Sequence, residues 1–332
     1  MEKKVILDCL GGDGGQDIAV AGARLALKRD KGLRLVLIGD TETIAPKMAD
    51  FATRIEIIHS TTNIGMGEQP TVAVRQKPDA SIVLGMEALR KRDDCTAILS
   101  AGSTGAVLTS SIMKVGRIEG VSRPALTPTM PTRRGTPVIV CDVGANMDCK
   151  AVNLVHFAQM ATIYLQQKGI AKPRIGLLNV GTEDGKGNEL THEAFKLLKD
   201  LHEKGAINFA GNMEAWATFS GDYDAVITDG FAGNVLLKTL EGTCDFISAE
   251  LKHAISGVTV LVGKLILAGR LLKMKKRLAE ATKVAAIFLG MKKPVLKVHG
   301  GADAQTICNG IIQAAACGNM ALDEKISAAL RP

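Results

Sequence analysis

Two lysines, one histidine and several asparagines and aspartates stand beside glycines in a way that suits an anionic substrate. Lys186 lies in Gly181-Thr182-Glu183-Asp184-Gly185-Lys186-Gly187-Asn188. Glycines on both sides of it allow close backbone approach, so its ammonium can reach an anion. Lys238 follows Gly233-Asn234 by about one helical turn, which would turn both toward one cleft. His299 is the only one of six histidines that ends a β-branched run beside glycines. A neutral imidazole there can hydrogen-bond a reacting carbonyl or a neighbouring backbone group. Similar loops are Gly11-Gly12-Asp13-Gly14-Gly15, Ser100-Ala101-Gly102-Ser103-Thr104-Gly105, Asp142-Val143-Gly144-Ala145-Asn146, Asp229-Gly230-Phe231-Ala232-Gly233-Asn234 and His299-Gly300-Gly301-Ala302-Asp303. Gly, Asn and Asp are ordinary turn residues, so one such loop says little. The set favours a phosphate-bearing or otherwise anionic ligand held by backbone amides at helix starts.

Simpler chemistries fit poorly. Gly12 and Gly14 are followed by Asp17, so the first loop lacks the third glycine of a dinucleotide fingerprint, although Asp40 sits where a ribose-binding acid would. The run Gly181 to Gly187 is one residue short of a P-loop and lacks its Ser/Thr. Gly102-Ser103-Thr104-Gly105 is not a nucleophile elbow. Asp142, Asp229 and Asp303 could meet around a divalent ion, but Asp after a strand more often caps the next helix, so no metal is expected.

These loops need a scaffold. Short β-branched runs recur at 4–8, 35–38, 55–59, 97–100, 138–143, 174–180, 207–210, 225–228 and 295–299. Helical stretches such as 18–28 and 189–204 lie between most of them. The alternation predicts an α/β fold with βαβ crossovers, a mainly parallel sheet and helices on both faces. Ligands of such sheets bind at the carboxyl ends of the strands, so the loops should converge there. No linker or repeat divides the chain, and one domain over 1–332 is expected.

Composition narrows the partners. The 332 residues include one Trp, two Tyr and eight Phe, too few aromatics for single-strand stacking platforms, so no nucleic acid is expected. Seven cysteines form no C-x-x-C pair and read as buried thiols of a reducing cytoplasm. The start, MEKKVILDCLGG, reads as a first strand rather than a signal peptide. The net charge of +7 is concentrated: positions 252–297 hold eleven basic residues and one acid, against 30 basic and 33 acidic elsewhere. Such a segment suits an acidic partner.

Taken together and in order, the stretches DCLGGD (8–13), SAGSTGA (100–106), GRIEGVSRPAL (116–126), DVGANMDCK (142–150), PRIGLLNVGTEDGKGNEL (173–190), GNMEA (211–215), TDGFAGNVLLKT (228–239) and HGGADA (299–304) resemble the PlsX family of acyl-carrier-protein:phosphate acyltransferases. Differences from the family's usual pattern fall at Ser103, at Val284-Ala285-Ala286-Ile287, at Gly301-Ala302 and at Gly14-Gly15-Gln16. The resemblance implies a Rossmann-like α/β/α sandwich akin to isocitrate and isopropylmalate dehydrogenases, with a protruding helical hairpin, a homodimer and no cofactor. It implies transfer of a long-chain acyl group from acyl carrier protein to inorganic phosphate, for glycerophospholipid synthesis. A phosphotransacetylase-like enzyme using acyl-coenzyme A, or a non-catalytic adaptor of the same fold, are the alternatives.

Under that reading phosphate is itself the nucleophile and the site must stabilise an oxyanion. Lys186, Asn188, Asn234 and Lys238 are expected to hold phosphate, with the amides of Gly233 and Asn234 at a helix start. His299 and Asn146 would polarise the carbonyl or protonate the leaving thiolate, oriented by Asp229 and Asp13. A hairpin over 244–284 would place Val260, Leu261, Leu265 and Leu271 in a membrane interface, with Arg270 and Lys273 toward anionic headgroups or the acidic carrier. The expected location is cytoplasmic and peripheral to the membrane.

Overall fold

A computed structural model of the chain describes residues 2–254, 269–270 and 284–330. Two sheets form, not one. The first runs through β1 (Lys4–Asp8), β2 (Leu35–Gly39), β3 (Ile55–His59) and β4 (Cys95–Ser100), with β5 (Ala125–Thr127), β11 (Ala286–Leu289) and β12 (Val295–Lys297). Its order is β3-β2-β1-β4-β12-β11-β5. The second contains β6 (Thr129–Met130), β7 (Val138–Cys141), β8 (Arg174–Asn179), β9 (Asn208–Glu214) and β10 (Ala225–Ile227), in the order β6-β7-β10-β8-β9. The β-branched runs of the sequence are the parallel strands of both sheets, because a strand buried on both faces needs a continuous apolar run. The strands missing from the sequence reading, β5, β6 and β11, are short and pair antiparallel.

The sheets meet where the chain passes from β5 to β6 with only Pro128 between. Val143 donates its N–H to the Leu126 carbonyl (3.0 Å) and Val140 to that of Pro128 (3.2 Å). Two buried apolar layers cover the two faces, and each draws on strands of both sheets. One layer includes α1 (Gly15–Arg29), α6 (Ala151–Gln167), α7 (Glu189–Glu203) and α9 (Ala304–Cys317). The other includes α3 (Pro70–Gln76), α4 (Ser81–Lys91) and α5 (Thr104–Ser110), with Leu236, Leu237 and Leu240 of α8 (Gly230–Ala254) packed against it. The result is an α/β/α sandwich.

Two of the departures from the family pattern are accommodated by local hydrogen bonds. Ser103 caps α5 by accepting the Ala106 N–H (3.2 Å). Ala285 exchanges both backbone bonds with the Gln313 side chain (3.2 and 2.9 Å), which anchors the start of β11. Helix α8 is one element of 25 residues that runs through position 244, where a separate hairpin was expected to begin. Beyond Gly242 it is exposed on nearly every side, Phe246 and Ile247 included. Val260, Leu261, Leu265, Leu271 and Lys273 lie outside the described residues, whereas Arg270 is described and exposed. No helix among the described residues is long and apolar enough to cross a membrane.

Candidate functional site

The carboxyl ends of the parallel strands carry two buried aspartates, one in each sheet. Asp8 ends β1, beside β4, where the strand order of the first sheet reverses. Its carboxylate accepts from the hydroxyls of Ser81 and Ser100 (2.6 Å each) and from the Leu10 N–H (3.2 Å). Burial pushes its pKa up, against those hydrogen bonds, which favour the charged form. A Cβ at Gly11 would lie 2.7 Å from this carboxylate and from the Gly102 nitrogen, so only glycine lets the loops after β1 and β4 touch.

Asp142 follows β7 and reaches across the seam between the sheets. It accepts from the N–H groups of Leu126 on β5 (2.8 Å), Ala145 (3.0 Å) and Asn146 (2.7 Å), and from Nδ2 of Asn146 (3.0 Å). Burial raises its pKa too, opposed first by the Ala145 amide. The Asn146 side chain also donates to the Pro124 carbonyl (2.7 Å), so both its amide hydrogens are engaged inside the protein. That geometry gives Asn146 a part in holding the loop, not in meeting a carbonyl.

Helix α8 starts on this loop. Gly230 donates to the Asn146 carbonyl (2.8 Å), and Asp229 caps the helix by accepting the Ala232 N–H (2.7 Å). Gly233 has its N–H on the Asp229 carbonyl (3.0 Å), so its amide is not open to an anion as the sequence reading supposed. Its lack of a side chain serves packing: a Cβ there would sit 1.9 Å from the Asp142 carbonyl oxygen. Asn234 lies inside the helix, not at its start, and its side-chain amide stands 3.7 Å from where a Gly144 Cβ would be. Asp303 likewise caps α9 through the Thr306 N–H (2.8 Å). Among the described residues no three His, Cys, Asp or Glu side chains have metal-binding spacing.

The lysine loop after β8 is pinned at three carbonyls, one of them that of Gly185, held by His192 Nε2 (2.9 Å). Asn179, the last residue of β8, donates to the Lys186 carbonyl (2.9 Å). Asn212 on β9, fully buried, donates to the Glu183 carbonyl (2.8 Å). Gly187 has φ +110° and no room for a Cβ, which would fall 2.0 Å from Thr191 Oγ1. The backbone is therefore fixed while the Lys186 side chain stays half exposed, with Glu183 4.0 Å away. Asn188 is the cap of α7: its Oδ1 accepts the Thr191 N–H (3.0 Å). Its expected phosphate contact competes with that bond.

At the seam of the first sheet, Asp13 donates its N–H to the Gly300 carbonyl (2.9 Å), and its carboxylate would lie 2.7 Å from a Gly300 Cβ. His299 is exposed, and its Nδ1 accepts the Gly301 N–H (3.1 Å). That bond assigns the proton of the neutral ring to Nε2. Lys238 pairs with Glu241 (2.7 Å) on the next turn of α8. The structure thus joins Asp13 to the His299 loop, and Asn146, Asp229, Gly233 and Asn234 to one another around Asp142. The Lys186–Asn188 loop follows β8, the neighbour of β10, and shares no hydrogen bond with either group among the described residues. Sequence reading missed Asn179, Asn212 and Lys297, because a polar residue in a strand carries no spacing signal until its partner is placed.

A profile of the family described as "Fatty acid synthesis protein" matches residues 3–325. A protein of Bacillus cereus strain G9842 called phosphate acyltransferase is 41% identical over 93% of both chains. A second, from B. cereus strain ATCC 14579 and of the same name, is 42% identical over 93% of both. Among solved structures, a phosphotransacetylase of Streptococcus pyogenes superposes with a TM-score of 0.63 at 16% identity, covering 96% of this chain and 94% of that one. A 4-hydroxythreonine-4-phosphate dehydrogenase of Salmonella typhimurium gives 0.55 at 17% identity, covering 96% and 100%. At such identities the last two speak for the fold alone.

Proposed function

The chain belongs to the fatty acid synthesis protein family, the PlsX family, and its relatives are phosphate acyltransferases; on that premise we propose that it moves a long-chain acyl group from acyl carrier protein to inorganic phosphate. The products are an acyl phosphate for phospholipid synthesis and the free carrier thiol. The observation that carries the reading is the Lys186 loop: a half-exposed ammonium on a backbone pinned by Asn179 and Asn212, within the 173–190 stretch.

Lys186, with Asn234 and Lys238 from α8, holds the phosphate. One oxygen of hydrogen phosphate attacks the thioester carbonyl carbon, the carbon–sulfur bond breaks, and the leaving sulfur takes the proton that the phosphate carried, while Nε2–H of His299 hydrogen-bonds the carbonyl oxygen. Asp13 positions the His299 loop, while Asp229 and Gly233 fix the start of α8 against Asp142. Bringing the two substrates into one geometry is worth about 7–11 kcal/mol of barrier. The projecting end of α8 and the basic segment after it meet the carrier protein or an anionic membrane surface, in a homodimer.

The test is thiol release from an acyl carrier protein thioester with and without phosphate, beside acyl-coenzyme A as donor. Release that ignores phosphate overturns the reaction, and preference for coenzyme A overturns the donor. Sedimentation with anionic and neutral liposomes tests the surface: binding that needs anionic lipid and is lost in Leu261→Glu is expected. Equal binding to both kinds of vesicle rejects it.

A further inference from the structure

The last residue of β12 is a lysine that lacks the partners its burial calls for. Lys297 lies in a strand between β4 and β11, in register with Ser100. Its side chain is largely shielded from water, and its ammonium donates to one carbonyl, that of Val298 (3.0 Å). The other shielded lysines are matched. Lys4 lies between Glu56 and Asp94, Lys114 pairs with Glu87 (2.7 Å), and Lys293 donates to three carbonyls (2.8, 2.8 and 3.1 Å). Among the described residues Lys297 has no carboxylate within 4.0 Å. Around it at longer range stand Lys238 and Glu241 from α8 and Asp13 from the loop after β1. Glu241 is already engaged by Lys238 (2.7 Å), and Asp13 is exposed against Gly300.

A shielded cation with one neutral acceptor is costly unless an anion joins it. We propose that Lys297 and Lys238 together hold a phosphate-class oxyanion where β12, the loop after β1 and α8 meet. The proposal rests on the acyl-transfer reading and adds a residue to it. Burial lowers the pKa of Lys297 and the Lys238 charge adds to that, the direction a bound dianion would reverse. Two sources share this chemistry: the inorganic phosphate substrate and the phosphate of a pantetheine thioester arm.

The experiment titrates inorganic phosphate, and separately 4′-phosphopantetheine, into the full chain by calorimetry. Lys297→Gln should weaken the bound anion at least tenfold, and Lys297→Arg should stay within about threefold of the parent. Whichever anion shows this is the source. A measurement on the unaltered protein covers a Gln variant that fails to fold: the same anion should shield Lys297 from amine acylation, read by mass spectrometry. Unchanged affinity for both anions in a folded Lys297→Gln, or no shielding by either, overturns the proposal. Normal phosphate-dependent thiol release with an unchanged KM for both phosphate and the carrier thioester in that variant overturns it too and leaves the reaction standing. Anion binding at Lys297 without any phosphate-dependent release overturns the reaction and leaves the lysine assignment standing.

Discussion

Asp8 and Asp142 occupy matching places at the carboxyl ends of β1 and β7, yet they are satisfied in opposite ways. Asp8 is bonded mainly by hydroxyls, whose hydrogens rotate, and it works inside one sheet between β1, β4 and α4. Asp142 is bonded by three backbone N–H groups and one amide, whose directions are fixed, and it ties the second sheet to β5 of the first. A carboxylate facing hydroxyls can be replaced by a neutral group that rearranges them. One facing fixed donors cannot, because an amide nitrogen would point hydrogens at hydrogens. The half with adaptable bonding carries the His299 loop and Lys297, and the half with fixed bonding carries the start of α8 and the lysine loop.

The largest expected effect is therefore Asp142→Asn. At least one backbone N–H loses its acceptor, so a loss of about 3 kcal/mol in urea unfolding is expected, together with loss of turnover. A variant as stable as the parent would erase the contrast with Asp8. Lys186→Ala comes next: one preorganised contact to the transition state is worth about 3 kcal/mol, or a hundredfold in phosphate-dependent rate. Its melting temperature should not move, since Lys186 pairs only loosely with Glu183. Near-normal phosphate kinetics would take Lys186 out of the site. Asn234→Asp should cost about tenfold in turnover through repulsion of the dianion, a single charge contact being worth roughly 1.5 kcal/mol. Because Asn234 lies inside α8, no capping gain offsets the loss.

The smallest effect belongs to Asp8→Asn, within about 1 kcal/mol at neutral pH, since Ser81 and Ser100 can turn to suit the amide. Its pH dependence sharpens the comparison. A carboxyl whose pKa is raised by folding adds stability that is full below the unfolded value of 3.8 and is lost as pH rises through the folded value. The unfolding free energy of the parent should thus fall as pH rises from 3.8 to the folded value, and that of the Asn variant should fall less steeply over the same range. Identical slopes would mean that Asp8 is ionised without penalty.

The parallel strands were legible because a run such as Leu35–Gly39 is apolar throughout and ends in a turn. Strands β5 and β6 were not, since three and two residues around Pro128 carry no period. Of the site, the glycine loops were legible as loops, but the meaning of single glycines was not. Gly233 reads as a donor to an anion, and only its distance from the Asp142 carbonyl shows that it makes room instead. Asn146 and Asn188 read as substrate contacts by type, and both spend their bonds on backbone groups brought close by folding. Lys297 is one polar position inside the 295–299 run, and sequence cannot show that its neighbours leave it one acceptor.

Helix α8 behaves as a cantilever. Its root is clamped at Gly230 and Gly233, with no clearance for a methyl group against Asp142. Leu236, Leu237 and Leu240 carry the clamp along the core, so the free arm is the stretch beyond Gly242. Residues 243–254 at a rise of about 1.5 Å give an arm of about 18 Å. A tilt of about 5° at its base would sweep the tip by about 1.6 Å. Placement of the tip thus depends on the fit of two glycines and three leucines at the other end, and an error there is amplified along the arm.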